Sequence, residues 1–249
     1  MLVARLLPRI AALKLPDLHS YRALLERAPQ AHAEWQIFIN LLTTNKTEFY
    51  REPTHFDWII QTFLPSWQSH QPNPTVFRAW SAACSTGQEP YTLAFALEDY
   101  RSRNAGFEYQ ILATDIDTEV LKTAANGVFP LCSINEIPAS LRTRFTNQGK
   151  GALKGWFRIN EALHQKLTFK HFNLVGSAFP PADSFDLILC RNVFIYFTPE
   201  TIGEICQYLA QSARKDAVLI TGHSESVTTA TENADIGWES VQPSILRRK

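Results

Sequence analysis

Five short stretches hold the polar residues from which a reaction centre could be built. "AACSTGQEPYTLAF", Ala82 to Phe95, leaves an apolar segment through Cys84, Ser85, Thr86 and Gly87 and restarts at Glu89 and Pro90. A small-residue turn of this kind suggests a nucleotide, but the later glycines of the dinucleotide fingerprint are missing and Glu89 would repel a phosphate. The ligand implied has no pyrophosphate and carries some positive charge. "EYQILATDID" ends in Asp115, placed to accept from both hydroxyls of a ribose, while Asp117 has a sufficient job as a helix cap. Without such a ligand both are plain turn and cap residues. "FNLVG" offers the Asn173 amide to an adenine edge or its ribose, "CRNVFIYF" brings Arg191 and Asn192, and "TGHSES" closes the series. One polar residue in a loop is ordinarily solvated, but five successive strand ends carrying them favour a nucleoside. An acid for a ribose, no phosphate cradle and a second acid suit S-adenosylmethionine, whose sulfonium and ammonium a carboxylate can meet.

The elements that must position these residues follow from periodicity. Residues 1 to about 42 show helical spacing only, with Leu18, Tyr21, Leu24 and Leu25 on one stripe and Trp35, Phe38, Ile39 and Leu42 on another. A further helix starts near Pro53 and carries Phe56, Ile59, Ile60 and Phe63. "PSWQSHQPNP", rich in proline, reads as a linker over 65–74. Strands at "TVFRAW", "EYQILATD", "LTFKHF", "FDLILC" and "DAVLITG" then alternate with helices at "EPYTLAFALEDYRSR", "TEVLKTAAN" and "TPETIGEICQYLAQSA", and the tail "GWESVQPSILRRK" reads as a final pair. Alternation of this kind predicts a parallel α/β sheet with ligands beyond the carboxyl ends of its strands. The reading divides the chain into a helical subdomain at 1–64 and an α/β domain at 75–249, with a β-hairpin insertion at 146–166.

Bulk properties narrow the function classes. The 249 residues suffice for a sizeable core, and 24 basic against 24 acidic residues leave nothing global to attract nucleic acid. No apolar run reaches the roughly 18–20 residues of a membrane span. The N-terminal "MLVARLLPRIAALKL" is interrupted by Arg5 and Arg9 and reads as an amphipathic helix rather than a signal peptide. Arg5 and Arg9 share one helix face, which could steer an acidic partner. Cys84, Cys132, Cys190 and Cys206 form no CxxC pair and read as buried reduced thiols of a cytoplasmic protein; no metal is expected.

"WSAACSTGQEPYTLAFAL", "ILATDIDTEVLKTAANGVF", "FDLILCRNVFIYF" and "GHSES", preceded by "TTNKTEFYREPTHF", resemble in order and spacing the blocks of the CheR-type chemotaxis receptor methyltransferases, over roughly residues 20 to 246. The resemblance implies a Rossmann-like class I methyltransferase fold with a mostly parallel seven-stranded sheet. It implies methyl transfer from S-adenosylmethionine, leaving S-adenosylhomocysteine, to glutamate side chains on the cytoplasmic helical region of chemoreceptors, by a monomer that does not insert into the membrane. Carried over by motif, Asn45, Thr47 and Arg51 approach the cofactor, Glu89 faces its methionyl end and Asp115 its ribose. Asn173, Leu174, Arg191 and Asn192 complete the pocket, and Arg51 and Tyr196 line the acceptor side. In some members the β insertion grips a tethering peptide of the receptor.

Three departures stand out: Glu48 and Tyr50, which could alter the pocket lip; Gln88 where an acid is common; and a short N-terminal helical region. A carboxylate acceptor is already ionised at neutral pH, so His223 is not needed as a base. Tyr196 reads either as an orienting hydroxyl or as a packing aromatic beside Phe194 and Phe197. The competing functions are a methyltransferase acting on another protein or a small molecule, and a catalytically weak S-adenosylmethionine-binding module.

Overall fold

The computed structural model describes residues 2–29, 33–70, 75–225 and 236–249. Three helices come first: α1 (Leu2–Ala12), α2 (Leu18–Arg27) and α3 (Ala33–Leu42). Their stripes bury a small cluster of Leu6, Ile10, Tyr21 and Leu25, with Trp35 and Phe38 against it. Glu34, 5% exposed, is its polar centre and accepts from the Arg9 guanidinium and from the Tyr21 hydroxyl at 2.9 Å. Arg5 turns inward too, donating to the Leu42 and Thr43 carbonyls at 2.8 and 2.7 Å. This corrects the expected basic docking face. A guanidinium within reach of a buried carboxylate, or of the orphan carbonyls at a helix end, is held there by charge-assisted hydrogen bonds.

The chain becomes helical again as α4 (Pro53–Trp58), one π-turn at Ile59–Phe63, and α5 (Leu64–His70). The wider turn lies directly before Pro65, which has no N–H for the ordinary bond and whose ring would clash with the preceding turn. The linker reading is corrected accordingly: residues 65–70 are helical, and Trp67 Nε1 donates to the buried Asp186 at 3.0 Å. Residues 71–74 lie outside the described part. Phe56, Ile59 and Phe63 pack into the main core with sheet residues such as Phe77 and Leu187. Tyr50 packs at the edge of that core against Phe56, with ring centroids 5.9 Å apart, and so does not form the pocket lip.

The α/β part follows the predicted rhythm: β1 (Val76–Ala82), α6 (Gln88–Arg103), β2 (Glu108–Asp115) and α7 (Thr118–Asn126). An excursion comes next, with β3 (Val128–Pro130), α8 (Ala139–Phe145), β4 (Thr146–Gln148), β5 (Trp156–Ile159) and α9 (Glu161–His164). β3, β5 and β4 pair antiparallel as a small separate sheet, with Phe129 opposite Phe157. The main sheet resumes with β6 (Leu167–His171), β7 (Phe185–Leu189), α10 (Pro199–Ser212), β8 (Ala213–Ile220), β9 (Trp238–Gln242) and β10 (Ile245–Arg248). Cys84, Cys190 and Cys206 are buried free thiols, but Cys132, on a 3-10 turn after β3, is exposed, which corrects the expectation for that residue.

The seven strands run in the order β6-β2-β1-β7-β8-β10-β9. The first five are mutually parallel, and β10 pairs antiparallel with both β8 and β9. All five residues of β7 are buried, as expected for a central strand covered on both faces. Successive strands leave β1 toward β2 and β6 on one side, then return to β7 and β8 on the other. The order therefore reverses between β1 and β7, which opens a crevice at their carboxyl ends. Gly87 caps α6 at φ 101, and a Cβ there would come within 2.9 Å of Ala124 Cβ, so a glycine is needed for α6 to approach α7.

Candidate active site

A cavity of ≈ 420 Å³ opens at this switch point. Its lining brings together Asn45, Thr47, Arg51, Glu89, Asp115, Asn173, Leu174, Arg191, Asn192 and Tyr196, all ten residues singled out from the sequence. They come from the loop after α3, the start of α6 and the ends of β2, β6 and β7. Backbone strain gathers here as well. Ala83, Ser85 and Asn192 line the cavity with φ of 97, 49 and 59, and Tyr50 and Glu52 nearby have φ of 55 and 54. Left-handed conformations cost a residue bearing a Cβ roughly 1–2 kcal/mol, and they persist where surrounding contacts enforce them.

Asp115 closes β2. Its Oδ2 accepts from Ser85 N at 2.8 Å and its Oδ1 from Asp117 N at 2.9 Å. Burial pushes the carboxyl up, and these backbone donors pull it back in part. Each oxygen keeps a further lone pair for a ligand hydroxyl. Asp117 caps α7, accepting from Glu119 N and Val120 N, and its other oxygen takes Thr43 Oγ1 at 2.6 Å and Asn45 Nδ2 at 2.8 Å. The Asn45 amide is thus engaged in holding its own loop over the cavity. Asn173 Oδ1 likewise accepts from Val175 N at 3.0 Å, and the residue lines the cavity.

Glu89 stands in the first turn of α6, accepting from Ser81 Oγ at 2.8 Å and Arg191 Nη1 at 3.0 Å. Burial raises its pKa, opposed by the Arg191 charge. The Arg191 side chain is 1% exposed and bridges Glu89 to Glu52, with Nη2 also donating to the Arg51 carbonyl. Cys84, on the cavity wall, is pushed well up by burial and the charges of Asp115 and Glu89, so it stays a thiol. Two carboxylates, Glu89 and Asp115, on the wall of this cavity suit a nucleoside that carries a cationic sulfonium rather than a pyrophosphate.

Arg51 makes one side-chain hydrogen bond among the described residues, from Nη1 to the Lys46 carbonyl at 3.0 Å, which leaves its other N–H groups open to the cavity. Tyr196 lies on a 3-10 turn at the mouth and is 59% exposed, so the packing-aromatic reading does not hold. Packing falls instead to Phe194, which is 2% exposed. His223 faces away: its Nδ1 lies 2.9 Å from Glu52 Oε2, and it is not part of the cavity wall.

Two acids in the quoted stretches received no role from the sequence. Glu225 accepts from the backbone N–H groups of Asn192, Phe194 and Gly222 at 2.9, 2.7 and 2.6 Å, joining the ends of β7 and β8. Glu52 collects donors from both strand ends. Its place beside Arg51 was the available signal. Glu52, His55 and His223 also bring three possible ligand atoms within 4.8 Å of one another, but the Arg191 guanidinium already neutralises that carboxylate.

Residues 45–239 match a family described as CheR methyltransferase, SAM binding domain. A Salmonella typhimurium protein named chemotaxis protein methyltransferase is 36% identical over 241 residues, 97% of this chain and 81% of its own. Chemotaxis protein methyltransferase 2 of Pseudomonas aeruginosa is 36% identical over 93% of this chain and 80% of its own. A chemotaxis protein methyltransferase of Borreliella burgdorferi is 38% identical over 76% of this chain and 67% of its own.

Proposed function

The chain belongs to the CheR methyltransferase family, and on that footing we propose that this S-adenosylmethionine-dependent methyltransferase esterifies glutamate side chains in the cytoplasmic helical region of chemoreceptors. The observation that carries the reading is that one cavity wall holds the carboxylates Glu89 and Asp115 together with Arg51 and the exposed Tyr196, which can receive an acceptor carboxylate.

S-adenosylmethionine would supply a methyl group on a sulfonium: an ionised carboxylate oxygen bonds to that carbon as the carbon–sulfur bond breaks and the neutral thioether S-adenosylhomocysteine leaves, with no general base needed. The residues of this chain then have three tasks. Glu89, held by Ser81 and Arg191, offers a fixed negative charge to the cationic methionyl end. Asp115, held by two backbone N–H groups, receives the ribose. Arg51 binds one oxygen of the incoming carboxylate and leaves the other free, with the Tyr196 hydroxyl as a second orienting donor. Pairing tighter than this would stabilise the ground state and slow transfer. Cation and anion become two neutral products, so alignment and exclusion of water supply most of the acceleration. The loop pinned by Asn45 and Thr43 to Asp117 provides that cover.

The small sheet supports the receptor reading by offering Leu153 and Trp156, 65% and 45% exposed, as a place for a tethering peptide. No described helix is long and apolar enough to cross a membrane. The test is incubation with radiolabelled S-adenosylmethionine and chemoreceptor cytoplasmic fragments, followed by mild base. Methyl label released as methanol from the receptor band is expected. Base-stable label, or label on another acceptor only, would overturn the glutamate assignment, and binding without transfer would leave a sensor of S-adenosylmethionine.

A further inference from the structure

The turn that carries Tyr196 is rooted on a buried acid outside the cavity wall, Glu225. Its Oε1 accepts from Phe194 N at 2.7 Å, and its Oε2 from Asn192 N at 2.9 Å and Gly222 N at 2.6 Å. A Cβ on Gly222 would come within 2.5 Å of Asn192 Nδ2 and 2.9 Å of Glu225 Oε2. The end of β8 therefore admits this joint only because residue 222 is a glycine.

Those bonds decide where Tyr196 stands. Asn192 holds φ 59, a left-handed conformation that the contact to Oε2 helps to enforce. Phe194 opens the 3-10 turn Phe194–Tyr196, with its ring buried in the cluster of Trp80 and Ile188 and its N–H ending on Glu225. Tyr196 N donates to the Val193 carbonyl at 3.2 Å and Phe197 N to the Phe194 carbonyl at 3.0 Å, so the turn is short and closed. The ring of Tyr196 is mostly exposed and gains little from packing. Its hydroxyl is placed by the backbone beneath it.

We infer that Glu225 is a positioning residue for the acceptor side: by holding the N–H groups of Asn192 and Phe194, it sets where the Tyr196 hydroxyl meets the incoming carboxylate. The inference rests on the acceptor role proposed for Tyr196. A glutamine separates the functions of the two oxygens, because its amide has one oxygen and an NH2 group that only donates. With its oxygen in place of Oε2, the NH2 faces the Phe194 N–H, donor against donor. Turned over, it faces the N–H groups of Asn192 and Gly222. Either way the root of the turn loses an acceptor.

Methylation of chemoreceptor cytoplasmic fragments by the full chain, at saturating S-adenosylmethionine and fragment, is compared for wild type, Glu225→Gln, Tyr196→Phe and the double variant. Glu225→Gln should lower kcat about tenfold, the scale expected of a misplacement of less than about 1 Å. In the Tyr196→Phe background the same change should cost less than about twofold, because residues that act through one hydroxyl do not add. A tenfold loss in both backgrounds, or no loss in either, overturns the proposal, since a merely structural role lowers both alike. Glu225→Asp keeps both oxygens on a shorter arm and should recover about threefold or more of the loss. A Glu225→Asp as slow as Glu225→Gln overturns the role of the second oxygen. If Glu225→Gln does not fold, Glu225→Asp takes its place in the cycle: a loss confined to the Tyr196 background supports the proposal, and an equal loss in both backgrounds, or none, overturns it. Full turnover in Tyr196→Phe would end the acceptor role of the tyrosine and the inference with it. A slow Tyr196→Phe whose loss simply multiplies with that of Glu225→Gln overturns the role of Glu225 alone.

Discussion

Asp115 Oδ1 accepts the Asp117 backbone N–H at 2.9 Å, which makes the acid at the end of β2 and the cap of α7 one unit. Asp117 in turn holds Thr43 and Asn45, and α3 adds Gln36 Nε2 to the Ile116 carbonyl at 2.9 Å. Helix α3 and the loop after it are thereby fastened to the end of β2 and the start of α7. Asp115→Asn should weaken S-adenosylmethionine by about 1.5–3 kcal/mol, or roughly 10- to 150-fold, as for a charge-assisted hydrogen bond lost. Asp115→Ala should in addition lower stability by about 1–3 kcal/mol, because the Ser85 and Asp117 N–H groups lose their acceptor. Calorimetry for binding and urea unfolding for stability separate the two. Unchanged affinity in Asp115→Asn would remove Asp115 from the cofactor site.

Arg51 and Tyr196 test the acceptor side. Tyr196→Phe removes a hydroxyl on a side chain 59% exposed, so unfolding should move by less than about 0.5 kcal/mol. Methylation rate, however, should fall about tenfold or more, with S-adenosylmethionine affinity nearly unchanged. Arg51→Ala should likewise lower turnover more than affinity. Full turnover in Tyr196→Phe would reduce the tyrosine to a wall of the mouth.

Acid should destabilise the protein through His55. Burial and the Arg191 charge lower its pKa from 6.5 to about 4, so the folded ring stays neutral where the unfolded one is charged. Between those values the unfolded chain binds more protons, and stability falls as pH drops, by about 2 kcal/mol at about pH 4.5. Glu52, lowered to about 2, adds a loss that begins below about 4.5 as the unfolded carboxylate takes up its proton. His55→Gln should flatten the upper part of this profile, read as urea midpoints against pH. An identical slope in His55→Gln would assign the acid sensitivity elsewhere.

Arg9, partly exposed on α1, reaches in to Glu34 beside Tyr21. Arg9→Glu would set two carboxylates against each other and take the Arg9 guanidinium away from Glu34, 5% exposed. Losing one partner of such a pair costs about 3–5 kcal/mol when fully buried, and somewhat less here because Arg9 is partly exposed. Calorimetry should show a lower unfolding temperature for Arg9→Glu. A variant that unfolds at the wild-type temperature and slows only receptor methylation would restore the docking role to this face.

The order of strands and helices, the sheet's parallel character and the polar strand ends were all legible in the sequence, because each rests on local rules. Apolar runs bounded by Gly127 or by Thr198 and Pro199 state where an element begins and ends, and the end of a parallel strand is where a ligand must sit. The helix starting at Pro53 was legible, but its π-turn and its continuation through Pro65 to His70 were not, since burial of Phe63 and Leu64 in the main core overrides the proline there. Nor was the fate of the charges. Arg9 and Glu34 find each other only once α1 and α3 pack together. Glu52 and His223, 171 residues apart, meet only because strand order sets β7 beside β8 and both beneath the loop after Arg51. Residue type and spacing named the groups that could do chemistry; which of them stay free, and which are bound up holding the others in place, was decided by tertiary packing, because a charge withdrawn from water must be met by whatever partner the fold brings near.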